Sequence, residues 1–300
     1  MIYTCTTNPS LDYYITIPSV EFGKNNRSDM EMYDAGGKGV NVSIVLNNFR
    51  IPSVALGFLG GFTKDFYLGF VSKYPNIQPL FTTIEDNTRI NIKLMDNLYE
   101  TSINAKGPHI TDSEFNKFKA RLNSVYTDDI FVLSGNIEDE IKDRIIDLVH
   151  ELCADGVKVV LDTDRDVIDR CLDANLFVVK LNDNNYDTNK SLEEDMIYLN
   201  ENKVDYVLYS APHKNAYLYS KDNKYMCDNL ADSLVNVTGA ADSMVAGFLY
   251  GVIRGATSEE SFKYANAASS ATCMSNDLGS KEKIEELFNK IEVKTIWLKR

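Results

Sequence analysis

Short, continuous apolar runs recur along the chain, and segments of helical spacing separate them. The runs are "MIYTCT" at the start, "SVALGFL" (53–59), "DIFVLSG" (129–135), "VKVVLDT" (157–163), "LFVVKLN" (176–182) and "VDYVLYS" (204–210). Continuous apolarity suits strands covered on both faces rather than strands with one wet side. Helical spacing appears in "VNVSIVLNNF" (40–49), "TKDFYLGFVSKY" (63–74) and "TDSEFNKFKARL" (111–122). In the last, Thr111 stands three residues before Glu114, the spacing of a capping box at a helix start. Strands and helices in alternation predict an α/β fold with a mostly parallel sheet.

Two stretches depart from this pattern. "LDYYITIP" (11–18) and "TRINIKLMD" (88–96) alternate polar and apolar residues. In the second, Arg89, Asn91 and Lys93 face one way and Ile90, Ile92 and Leu94 the other. "YETSIN" (99–104) could pair with it as a hairpin. A half-exposed sheet does not belong in a doubly covered core. The expectation is one domain over 1–300 with a small antiparallel β lid from about 11–34 and 87–105. An ordinary edge hairpin would give the same alternation.

Ligands of open parallel sheets bind beyond the carboxyl ends of the strands. The polar residues expected there are Asp12 with Asn8, Ser134-Gly135-Asn136, Asp162-Thr163-Asp164, Lys180 with Asn182, and Ser210.

Charge narrows the partners. The chain carries 31 basic and 44 acidic residues, a net −13. Such a surface repels nucleic acid and anionic membrane, so an anionic ligand needs a local basic cluster. No apolar run approaches membrane-spanning length, and "MIYTCTTNPS" is no secretory signal. The five cysteines are widely spaced with no C-x-x-C, which suits reduced thiols in the cytoplasm. His109, His150 and His213 do not cluster in the sequence, and no Cys/His spacing suggests zinc.

Two motifs remain. "DAGGKGVNVS" (34–43) sets glycines and Lys38 before a helix, where a phosphate or sugar hydroxyl could dock. It matches neither common nucleotide fingerprint, and a Gly-rich turn serving only the chain path fits the motif equally well. "VNVTGAADSMVAGF" (235–248) places Gly239, Ala240 and Ala241 at a helix start, where their N–H groups could cradle a phosphoryl group. Asp242 beside them could take a proton from an attacking hydroxyl, or could simply cap the helix.

Taken together, the chain resembles the ribokinase-like sugar kinases in their phosphofructokinase B branch. The matches are "TTNPSLD", "AGGKGVNVS", "ALGFLGGFTKDF", "TRINIKL", "LSG", "VTGAADSMVAGF" and "ANAASSAT", in the family's order from about residue 4 to 275. "GFLGGFTKDF" and "TRINIKL" resemble 1-phosphofructokinase-like members most. The resemblance implies a ribokinase-like three-layer αβα fold, a β lid that serves as a homodimer contact, and MgATP-dependent phosphorylation of a sugar phosphate. It implies Asp242 as catalytic base and the Gly239, Ala240 and Ala241 backbone as anion hole. It places Asp12, Gly36, Gly37, Lys38, Asn41, Asn91 and Ser134 on the sugar, with Arg27 and Arg89 on its phosphate. Lys180, Asn182, Ser210, Thr238, Gly239, Asn266 and Ser269 would hold the nucleotide. The implied reaction converts fructose 1-phosphate and ATP into fructose 1,6-bisphosphate and ADP. Another hexose phosphate such as tagatose 6-phosphate is the near alternative, and a catalytically weak sugar-phosphate binder is the distant one.

Four departures fall on the nucleotide side. Ala241 replaces a glycine, Asn185 stands at the usual magnesium-linked glutamate, and Ser269 replaces a glycine. The loop "YSAPHKN" has lost both its glycines and gained Pro212. They predict poor ATP affinity, a high magnesium demand, and relief of that demand by a glutamate at 185.

Overall fold

The computed structural model describes residues 1–211, 214–228, 235 and 237–296. Its first half runs β1 (Ile2–Thr6), β2 (Ser10–Thr16), β3 (Met30–Gly36), α1 (Lys38–Asn48), β4 (Ser53–Gly60), α2 (Gly61–Val71), β5 (Ile77–Pro79), β6 (Thr82–Ile84), β7 (Arg89–Met95), β8 (Glu100–Ile103), α3 (Asp112–Arg121), β9 (Ile130–Ser134) and α4 (Asp139–Ala154). Its second half runs β10 (Lys158–Asp162), α5 (Arg165–Arg170), β11 (Val178–Leu181), α6 (Leu192–Glu201), β12 (Tyr206–Tyr209), β13 (Ala216–Ser220), β14 (Lys224–Cys227), α7 (Ala240–Ile253), α8 (Ser258–Cys273), α9 (Lys281–Phe288) and β15 (Val293–Thr295).

The central sheet has the order β15-β14-β13-β12-β11-β10-β9-β1-β4-β5, with β6 also paired to β4. From β12 to β5 every pairing is parallel. Successive residues of each strand feed opposite apolar layers. Phe131 and Leu133 of β9 join Phe118 of α3 and Ile145 of α4. Ile130 and Val132 join Val45 of α1, Met244 of α7 and Phe262 of α8. The result is the three-layer α/β arrangement that continuous apolar runs predict. The capping box at Thr111 is present, and Ser191 and Thr257 build two more with Glu194 and Glu260.

At one edge the sheet turns antiparallel through β13, β14 and β15. That hairpin is absent from the sequence reading above.

The lid is a second sheet of order β3-β2-β7-β8. Its outer pairings are antiparallel and its central pairing, β2 with β7, is parallel. The alternation predicted for β7 sets the two faces. Register aligns Ser10 with Arg89 and Asp12 with Asn91, and these polar residues face the body of the molecule. Leu11, Tyr13 and Ile15 align with Ile90, Ile92 and Leu94 on the other face. Tyr13 stacks on Tyr33 there at 4.5 Å between ring centroids. Among the described residues, no helix is long and apolar enough to cross a membrane.

Candidate active site

Two helix starts converge over the carboxyl ends of the central strands. α1 opens after Gly37, whose φ is 151°. A Cβ there would lie 2.9 Å from Thr6 Cγ2, so the turn passes β1 too closely for a side chain. α7 opens after Gly239 in the left-handed region at φ 78°. A helix start leaves its first N–H groups without intrahelical partners and suits an anion. The Ala240 N–H leans on Val237 O at 3.3 Å.

Asp242 lies in that first turn and is buried. Asn41 of α1 donates to its Oδ2 at 2.8 Å, while Oδ1 is buried without a partner. Burial first, and then the Asp162 carboxylate, push its pKa up to about 7. Lys38, Asn41 and Lys180 act against that rise. A base poised near neutrality is what general-base catalysis asks for. The Lys38 ammonium lies 3.6 Å from Asp162 Oδ1.

Asp242 lines one of two neighbouring cavities, next to Ala241 in the wall between them. That cavity, of about 510 Å³, lies between the lid and the strand ends. There Asp12 Oδ1 accepts hydrogen bonds from Asn91 Nδ2 and Ser10 Oγ, both at 2.8 Å. The Arg89 guanidinium donates to Ala105 O and Asn8 O at 3.1 and 3.0 Å and leaves a buried Nε unpartnered. Gly36, Gly37, Lys38, Asn41, Ser134, Thr238 and Gly239 line the same cavity. The second, of about 150 Å³, runs between α7, α8 and the ends of β11 and β12. It is lined by Asn182, Ser210, Ala240, Asn266 and Ser269, with Met244 and Ala216 as apolar wall. Ala241 borders both.

Three expected site residues sit differently. Arg27 lies in the exposed connection between β2 and β3 and does not line the cleft, because β3 returns to the body only after that connection ends. Lys180 is fully buried beneath the cavities, and its ammonium donates to Leu181 O at 2.7 Å. Burial, partly offset by Asp162, lowers its pKa to about 8. Asn185 is a structural clasp. Its amide donates to Thr163 O at 2.9 Å and Lys180 O at 3.2 Å, and its Oδ1 accepts from the Asn182 N–H at 2.7 Å. A glutamate has no such donors, so one at 185 would leave Thr163 O and Lys180 O without this partner. Ala241 is helical, and the left-handed position is Gly239, so alanine there meets no strain from positive φ. Pro212 lies outside the described residues. The sequence reading missed Asp34 and Glu138, which also line the lid cavity. Asp34 stands opposite Asp12 across β2 and β3, a pairing that only the register reveals.

Residues 10–284 match the pfkB family carbohydrate kinase. The chain belongs to the pfkB family of carbohydrate kinases. It is 34% identical over 302 residues to a 1-phosphofructokinase of Bacillus subtilis, covering 98% of this chain and 99% of that protein. It is 29% identical to a tagatose-6-phosphate kinase of Staphylococcus epidermidis over 98% of this chain and 99% of that one. Phosphofructokinase-2 of Escherichia coli, crystallised with substrates and products, superposes with a TM-score of 0.88 at 20% identity, over 96% of this chain and 98% of that one. That last likeness is one of fold. As a pfkB kinase the chain moves a phosphoryl group onto a sugar hydroxyl, and its two cavities share one wall.

Proposed function

We propose that this pfkB kinase transfers the γ-phosphoryl group of ATP to the 6-hydroxyl of fructose 1-phosphate. The observation that carries the reading is the place of Asp242, next to Ala241 in the wall between the cavities and with one carboxylate oxygen unpartnered. The sugar phosphate sits under the lid, held by Asp12, Asn91 and the backbone at Gly36 and Gly37. Arg89 supplies charge to its phosphate. The nucleotide takes the groove at Asn182, Ser210, Asn266 and Ser269. Asp242 accepts the hydroxyl proton as the sugar oxygen bonds to phosphorus. The bond from phosphorus to the ADP oxygen breaks, and its electron pair leaves with ADP. The N–H groups at Gly239–Ala241 receive the charge on the transferring oxygens.

Magnesium bound with ATP would supply positive charge to the phosphates. Among the described residues no group of three or more His, Cys, Asp or Glu could hold a metal ion, and the Asn185 amide is already spent.

The apolar outer face of the lid supports self-association. Tyr33, Ile90 and Ile103 are 48%, 37% and 57% exposed on it. We assign that face to a second copy of the chain.

ADP release measured with MgATP across a panel of hexose phosphates tests the substrate. Fructose 1-phosphate should give the highest kcat/KM. A preference for tagatose 6-phosphate would move the assignment to the chemistry named in the Staphylococcus relative. Thermal stabilisation by a sugar phosphate with no turnover of any would leave a binding protein.

A further inference from the structure

A row of polar side chains crosses the sheet directly beneath the transfer point. Register pairs Ser134 of β9 with Asp162 of β10. Cys5 pairs with Leu133, so Thr6 continues the row on β1. Leu161 pairs with Val179, so Lys180 continues it on β11. These in-register side chains lie on the face that carries α1 and α7. The other positions on that face of these strands are apolar, except Thr4, which meets Ser43 Oγ at 2.7 Å, and Lys158 at the far end of β10, which pairs with Asp128 at 3.2 Å.

The row is polar and unsatisfied. Thr6 Oγ1, Ser134 Oγ and both oxygens of Asp162 are buried with no hydrogen-bond partner. Asp162 is fully buried, and a carboxylate in that state is costly without a cation. Lys180 does not provide a contact, because its ammonium is turned to Leu181 O. Lys38 does, loosely, at 3.6 Å. Its side chain is 39% exposed, against 0% for the Asp162 side chain. The ammonium therefore bridges a buried carboxylate and the open cleft beside Asp242. An ammonium has three donors, and a contact of this length commits none of them fully.

We propose that Asp162 is a positioning residue, which holds the Lys38 ammonium at the partition so that its free N–H groups meet the transferring phosphoryl group. The inference rests on the kinase reading and adds a role outside the residues assigned above. Lys38 is then a built-in cation at the point of transfer, and the buried carboxylate fixes where it stands.

A double-mutant cycle tests this in the full chain with MgATP and fructose 1-phosphate. Asp162→Asn should lower kcat about 10- to 100-fold with KM for both substrates little changed. In a Lys38→Met background the same substitution should cost no further kcat, and it should raise Tm by removing an uncompensated charge. An equal loss of kcat in both backgrounds would overturn the proposal. Should Asp162→Asn not fold, Asp162→Ser serves in the same cycle.

A second arm does not depend on turnover. Burial works against the Lys38 ammonium, but Asp162 and then Asp242 outweigh it and hold its pKa above the ordinary lysine value, with Asp164 adding to them. Lysine-labelled NMR should show the Lys38 titration move down in Asp162→Asn. A titration that does not move would overturn the proposal. A wild-type chain that turns over no sugar phosphate would sink the substrate reading, while this arm still reports on the pair.

Discussion

At the scale of single residues, the site is built from groups left wanting. Asp242 has one oxygen held by Asn41 and one free. With its pKa near 7, kcat/KM should fall as pH drops below about 7 and the base takes up a proton. Stability runs the other way. Between about pH 4 and 7 the folded chain binds this proton and the unfolded chain does not, so the group's contribution is full at low pH and is lost as pH rises through 7. Asp242→Asn should therefore raise Tm at pH 8 and change it little at pH 4, a difference that scanning calorimetry would read. Arg89 gives a second expectation. Arg89→Ala should raise KM for the sugar phosphate at least about tenfold and leave KM for ATP within a factor of two or so, since a charged hydrogen bond to phosphate is lost. Equal effects on both substrates would misplace the arginine. The roles given to these two residues rest on the resemblance, because the local pattern at Asp242 suits a helix cap and that at Arg89 only an alternating strand. Asp34 and Glu138 were not legible in sequence: strand register sets Asp34 opposite Asp12, and Glu138 is the N-cap residue of α4 beyond the end of β9, where the Asn8 amide donates to it.

At the scale of elements, helix starts and strand ends do most of the placing. The patterns of α1, α3 and the parallel strands were readable because continuous apolarity and capping spacings are local signals. The hairpin of β13 and β14 was hidden: "AYLYS" and "KYMC" are short, and both faces of the hairpin are partly covered. Asn185 shows a different limit. Its place in the motif suggested a lost metal contact, whereas its amide binds together the ends of β10 and β11 through Thr163 O and Lys180 O. Asn185→Glu should lower stability by about 1–3 kcal/mol for each carbonyl left without its donor. It should leave the magnesium dependence of kcat where it was. A stable Asn185→Glu protein active at lower magnesium would restore the metal reading and contradict the clasp.

At the scale of the whole molecule, a chain of net −13 has to bring two anions together. Lys38 and Arg89 line one cleft beneath a lid whose apolar face points outward, and the proposal gives them that task. Ile90→Lys with Ile103→Lys on that face should shift the chain toward monomer in light scattering and leave the far-ultraviolet circular dichroism unchanged. A monomeric wild type would remove the second copy from the proposal. The layered fold and the lid were legible from periodicity alone, while the two cavities and their shared wall required the assembled sheet. On the proposed reading, sugar and nucleotide meet at Asp242, beside that wall. The most direct test is single-turnover transfer by Asp242→Asn, measured beside its dissociation constant for fructose 1-phosphate. The transfer rate should fall by at least about 10³-fold while the dissociation constant stays within a few-fold of wild type, since a base acts in the transition state. Transfer at the wild-type rate would contradict a catalytic role for Asp242 and, with it, the reading of the partition as the site of reaction.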